Sequence, residues 1–326
     1  YSLLFLIFVL FSSFFSKYTN RVILGKYSRW EGLITYISYI LIFFFFLNFV
    51  LKKKEIVKIM KFTFLTGLLA SLYGLLQIFN LDPINHSEMM HEFNKRAFVT
   101  MGNPNFAGTY AVLLLSISFI LYLFKSKEKI NKIYLFTTAM FYALLIATAT
   151  RSAMLGFAIT FIFTIIFFRK YLFRNKKPIL IIILVFLIIT IGIDIYQEGF
   201  IYNRLLDMVF DLQKLRGEEA EKGTIGSGRY TIYKHGFPLL LKNPLFGSGP
   251  DTFDKVFPQK EYFKAVKSIT IVDKAHNEYL QIGVTLGLPA LFFYLLLLGN
   301  IYKKGWYALK RLRNNISELN IYHAAL

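Results

Sequence analysis

Apolar residues run along this chain in blocks of 15 to 20, separated by short charged connectors, at 1–15, 33–51, 62–79, 106–124, 133–149, 153–168, 179–195 and 282–301. Blocks of that length and apolarity read as helices that cross a bilayer. The one long departure is a mostly polar segment over 196–275. Inside it, Ile201, Leu205, Leu206, Met208, Val209, Leu212 and Leu215 recur among charged residues at helical spacing, which predicts an amphipathic helix over 199–216 lying on the membrane face. After a flexible stretch at 218–228, a second helix is expected over 229–242. Pro238 interrupts it, and it closes before Asn243-Pro244.

The pattern predicts an all-α protein, a polytopic transmembrane bundle of about eight spans with one large outer loop containing amphipathic helices. Three regions follow: a bundle over 1–195, the loop over 196–275, and a histidine-bearing transmembrane helix with a basic tail over 276–326. Composition agrees with a membrane protein, since 56% of the residues are apolar and 36 are Phe. A net charge of +19 in a soluble protein would suggest nucleic acid, but here the cations sit in the connectors, so no nucleic-acid partner is expected. Connectors 52–61, 125–132, 169–177 and 301–313 carry five, four, five and five Lys or Arg, whereas 80–103 carries only Lys95 and Arg96. The positive-inside rule makes the first set cytoplasmic and places the 196–275 loop on the outer side of the membrane. The connector 16–32 breaks the rule: it is outside by alternation yet holds Lys17, Arg21, Lys26 and Arg29 against Glu31 alone. Either it is mis-threaded or snorkelling, or these cations capture an anion. The chain starts without Met inside an apolar run, and 321–326 looks like the beginning of another segment, so a longer protein is expected. With zero cysteines, disulfides, thiolate catalysis and Cys-ligated metal are excluded.

Three residues carry candidate chemistry. Arg151, in Thr148-Ala149-Thr150-Arg151-Ser152, interrupts about two helix lengths of apolar chain. If Thr150 caps the next helix, Arg151 lies in its first turn, where the helix dipole disfavours a cation. It either snorkels at a tight outer turn or binds an anion. Arg229 stands at the start of the second loop helix, after Ser227-Gly228. His276, in Ala275-His276-Asn277-Glu278-Tyr279-Leu280-Gln281, sits where the polar loop enters the last apolar block and is suited to proton chemistry at the membrane surface. His86, His91, His235 and His323 lack such company and read as structural. Gly247-Ser248-Gly249-Pro250 is either an ordinary turn or a phosphate-binding one, and Asn103-Pro104 reads as a helix start.

The run from Lys274 through His276 and Gly287 to Pro289 resembles the signature that closes the large outer loop of the O-antigen ligase and polymerase superfamily of bacterial membrane glycosyltransferases. Thr150-Arg151-Ser152, Arg229, Lys242-Asn243-Pro244-Leu245-Phe246-Gly247-Ser248-Gly249 and Gly102-Asn103-Pro104-Asn105-Phe106-Ala107 are similar to further family motifs, and Ser28-Arg29-Trp30-Glu31-Gly32 fits more weakly.

The resemblance implies transfer of a glycan from an undecaprenyl diphosphate donor to an acceptor hydroxyl at the outer leaflet, without metal, nucleotide sugar or other cofactor. Arg151 and Arg229 would neutralise the departing diphosphate. His276 would take the acceptor proton or hydrogen-bond the substrate. Arg21, Lys26 and Arg29 would add a second diphosphate contact, with Asn277 and Tyr279 beside the substrate. The acceptor stays open among glycan, lipid and protein. A polymerase using a second lipid-linked glycan needs the same chemistry. A transporter would place its ionisable groups near helix midpoints, and a passive anchoring loop would leave His276 and the arginines without a role.

Overall fold

The structure, a computed structural model, describes residues 1–49, 52–84, 87–124, 128–174, 176–214, 225–226, 228–267 and 270–314. Leu215, most of the 218–228 stretch, His86, His323 and 321–326 lie outside the described residues. Among the described residues every regular element is helical. In chain order these are α1 (Ser2–Phe14), α2 (Thr19–Val22), α3 (Leu33–Asn48), α4 (Lys53–Ile78), α5 (Ser87–Glu92), α6 (Pro104–Phe124), α7 (Glu128–Ala147) and α8 (Arg151–Phe167). They continue as α9 (Arg169–Arg174), α10 (Lys177–Tyr196), α11 (Phe200–Lys214), α12 (Arg229–Gly236), a 3₁₀ turn (Phe237–Leu241), α13 (Phe253–Val256), α14 (Gln259–Val266), α15 (Glu278–Leu286) and α16 (Leu288–Asn314).

Three helices, over Lys54–Ile78, Pro104–Phe124 and Lys177–Tyr196, are long and apolar enough to cross a membrane, and four shorter apolar helices accompany them. Along α10, Leu180, Leu184, Leu187, Ile188, Ile191 and Ile195 leave one apolar face bare, as lipid contact requires.

The chain divides into two compact units. The first joins 1–50 to 209–306, so the polar loop packs with the N-terminal helices, 200 residues away in sequence. Its inner helices share a core of Phe5, Val9, Ile40, Ile282, Leu286 and Ala290. The loop has a second core of Ile232, Phe253, Phe257, Tyr262, Val272 and Leu280. The second unit, 51–208 with 307–326, is a helical bundle in which Leu115, Phe119, Phe141, Leu144, Phe157 and Ile182 from α6, α7, α8 and α10 are buried together.

The last apolar block is not one helix. It is broken at Gly287 (φ 93°, ψ 165°), a conformation that only glycine adopts readily, and a side chain there would collide with the Leu245 carbonyl. Leu288 N–H instead bonds the Pro244 carbonyl at 2.8 Å, so Asn243-Pro244-Leu245 threads through the break. The expected α12 region agrees with the sequence pattern, the helix tightening to 3₁₀ where Pro238 enters.

Candidate active site

The turn that carries His276 belongs to the first unit, and its geometry is set by its neighbours. Asn277 caps α15: its side-chain oxygen accepts the N–H groups of Tyr279 (3.0 Å) and Leu280 (3.2 Å). On the other side, the N–H of buried Ala275 donates to Gln281 Oε1 at 2.9 Å. Tyr233 Oη donates to the His276 carbonyl at 3.1 Å. Between these anchors His276 adopts φ 51°, a left-handed conformation of the kind that costs about 1–3 kcal/mol and is kept where surrounding structure enforces it. His276 is therefore not on the helix, as expected from sequence, but in the turn before it, at the edge of a cavity of about 500 Å³ whose lining includes Arg29, Gly228, Tyr262 and Asp273.

Charge around this cavity is organised by Asp273, which the sequence reading overlooked although it stands three residues before His276. Its carboxylate receives Arg29 Nε and Nη2 and Lys26 Nζ, each at 3.1 Å. Burial pushes the Asp273 carboxyl up, but the bonds from Arg29 and Lys26 outweigh it and hold the group below the usual carboxylate range. Arg21 grips Asp254 with one nitrogen at 3.1 and 3.0 Å and donates to the Asp251 carbonyl. Lys274 pairs with Glu31 at 2.5 Å. Arg21, Lys26 and Arg29 of the 16–32 connector thus have acidic partners in the loop.

The His276 pKa lies below its ordinary value. Partial burial is the chief cause, followed by the charge of Arg229, with Asp273 opposing. Arg229 itself is exposed and opens α12, where the positive helix end makes a further cation unfavourable and an anion welcome. Tyr279 is 49% exposed, with its ring 6.4 Å from that of Tyr294.

Arg151 lies in the second unit, as the first residue of α8, with Thr150 at the cap position as expected. The hydroxyl of Thr150 does not cap. It donates to the Pro104 carbonyl at 3.0 Å and accepts Arg96 Nη2 at 3.1 Å. Arg96 also donates to the Thr148 carbonyl at 2.7 Å, so it holds both flanks of the turn that precedes Arg151. Sequence reasoning passed over Arg96, although it is half of the single cationic pair in its connector.

The glycine-rich turn does not present free donors to phosphate. Ser248 N–H bonds the Val284 carbonyl at 3.1 Å and Gly249 N–H the Thr285 carbonyl at 2.7 Å, closing off the end of α15. Gly247 (φ 64°) touches the backbone of Thr285, where a side chain has no room. This motif is a packing device. Among the described residues no group of three or more His, Asp or Glu side chains is arranged to hold a metal ion.

No curated protein and no solved structure matches the chain. The family model for O-antigen ligase matches residues 133–295, half of the chain, a span that includes Arg151, Arg229 and His276 and leaves out Arg21, Lys26, Arg29 and Arg96. The chain therefore belongs to the O-antigen ligase family, the ligase and polymerase type of integral membrane glycosyltransferases that act on lipid-linked glycans.

Proposed function

We propose that the protein transfers a glycan from undecaprenyl diphosphate to an acceptor hydroxyl at the outer face of a bacterial plasma membrane, without metal assistance. The observation that carries this reading is the His276 turn: a histidine held in a left-handed conformation at a cavity edge, with a lowered pKa and Arg229 as a nearby cation. In the reaction, neutral His276 takes the proton of the acceptor hydroxyl as its oxygen bonds to the anomeric carbon. The bond from that carbon to the diphosphate oxygen breaks, and both its electrons leave with the diphosphate. Imidazolium then returns the proton to water. Arg229 stabilises the departing charge; Arg151, which the sequence marks for the same role, belongs to the second unit. Tyr279 offers an exposed ring and hydroxyl to the sugar. Asn277, its oxygen committed to the cap, contributes its amide N–H groups. Arg29, Arg21 and Lys26 enter this scheme through the carboxylates they hold: they shape the cavity and set its potential. The topology of about eight spans in three regions, with the loop outside, belongs to the same proposal.

The test uses the full chain in proteoliposomes with glycan-loaded undecaprenyl diphosphate and candidate acceptors, following release of free carrier diphosphate. Release should require both an acceptor and His276, with His276→Ala reducing it by about 10³-fold or more. Release supported only by a second lipid-linked glycan would make the protein a polymerase. Undiminished release from His276→Ala would remove the histidine from the chemistry.

A further inference from the structure

The first unit holds a second cavity, of about 430 Å³, which shares no described lining residue with the one beside His276. Tyr36, Tyr39, Ile40 and Phe43 contribute to it from one face of α3, at spacings of three and four residues. Phe5 of α1 and Tyr294 of α16 complete an aromatic wall: the Phe5 ring is 6.1 Å from that of Tyr36 and 5.9 Å from that of Tyr294, and Tyr36 is 6.3 Å from Tyr39. The lining also includes Glu278 and Ile282, one turn apart on α15, and Glu31, just before α3.

The negative charge in this lining exceeds the positive charge beside it. Glu31 is bonded to Lys274 Nζ at 2.5 Å. Glu278 makes no hydrogen bond or ion pair with the described residues and stays exposed to the cavity. Desolvation, then the charge of Glu31, raises the Glu278 carboxyl above its ordinary range, with Lys274 opposing. One lysine therefore serves two carboxylates. The hydroxyls of Tyr36, Tyr39 and Tyr294 are also without a hydrogen bond to the described residues. Polarity is graded along α3 as well: Glu31 lies before its first turn, whereas Phe43 follows Tyr36 by a helical rise of about 10 Å.

We propose that this cavity binds an organic ammonium group carried on an apolar body, the charge meeting Glu278 and the tyrosine faces and the body lying along α3 toward Phe43. Aromatic faces attract a cation within about 6 Å of the ring centre, and more strongly where water is excluded. Glu278 supplies the counter-charge. A neutral occupant would leave the surplus negative charge uncompensated, and an anion would be repelled by both carboxylates. The ammonium group can come from the headgroup of an amine-bearing lipid or from a soluble amphiphilic amine. The assignment does not depend on the glycan-transfer chemistry.

The probe is radiolabelled hexyltrimethylammonium, and the measurement is its equilibrium Kd for the full chain in an uncharged maltoside detergent. Glu278→Gln keeps the shape of the side chain and removes its charge, and should weaken binding by about tenfold or more. Tyr36→Leu, which removes one ring face, should weaken it by about threefold. Glu261→Gln, at an exposed acid of α14 outside the lining, should leave the Kd unchanged. A Kd within twofold of wild type in Glu278→Gln would overturn the assignment, as would an equal loss in Glu261→Gln, which would mean attraction to surface charge in general. So would displacement of the probe from wild type by hexanol as readily as by the unlabelled ammonium, since the cavity would then select only apolar surface. Should Glu278→Gln lose its fold, seen as a lowered thermal midpoint, Tyr36→Leu and the hexanol competition still decide. With the charge dependence in place, displacement by phosphatidylethanolamine and not by phosphatidylglycerol identifies a lipid headgroup as the source, and displacement by neither identifies a soluble amine.

Discussion

His276 owes its candidacy less to its side chain than to what surrounds it. Partial burial and Arg229 lower the imidazole pKa, so the ring stays neutral, and competent as a base, further into acid than a free histidine. The acid limb of kcat/KM should therefore fall below the ordinary imidazole range near about 6.5. Arg229→Gln deletes a repelling positive charge, which raises the pKa, so the limb should move to higher pH as the rate drops by about 10²-fold. Asp273→Asn deletes an attracting negative charge and should move the limb to lower pH. A pH series of transfer rates on wild type and both variants measures this. A limb that stays in place in both would mean that another group titrates. The catalytic candidates were legible because His276 and Arg151 stand out against apolar chain. Asp273 and Arg96 were not, because an acid or arginine in a polar connector looks the same whether solvated or paired.

At the scale of elements, the site depends on how α15 begins and ends. Its start is the Asn277 cap, and the same residue was expected beside the substrate. The two roles separate experimentally. Asn277→Ala should destabilise the protein by about 1 kcal/mol, whereas Asn277→Asp, an equally good cap, should keep the thermal midpoint. Equal midpoints for Ala and Asp variants, with transfer lost in both, would make substrate contact its main task. The helix start at Asn103-Pro104 was readable from cap and proline chemistry, as was the disturbance at Pro238. The break at Gly287 was not: continuous apolarity over 282–301 argued for one span, and it is the Pro244 segment, distant in sequence, that occupies the gap.

For the whole molecule, charge distribution makes a claim about orientation that the fold leaves to experiment. The chain has no cysteine, so a single introduced thiol reports cleanly. Lys255 in α13 and Lys58 in α4 are both exposed. With the loop outside, a membrane-impermeant maleimide should label Lys255→Cys in intact cells, and Lys58→Cys only after the membrane is opened. The opposite pattern would invert the topology and put His276 on the cytoplasmic side. The uncovered apolar face of α10 is already what a lipid-facing helix presents.

What the sequence determined by itself was class and family. Bilayer-length apolar blocks leave a chain little choice but helix, since unpaired backbone groups cannot be left in hydrocarbon, and the motifs around Arg151 and His276 are local in sequence. What only the tertiary structure decided was partnership. Three of the four cations of the 16–32 connector became intelligible once Asp254 and Asp273, more than 200 residues later, were seen to meet Arg21, Lys26 and Arg29. The glycine-rich turn changed from an anion-binding candidate to a packing device because its N–H groups face the carbonyls of α15. Hydrophobic pattern is a property of neighbouring residues. Ion pairs, close backbone contacts and desolvation are properties of residues brought together, which no local pattern records.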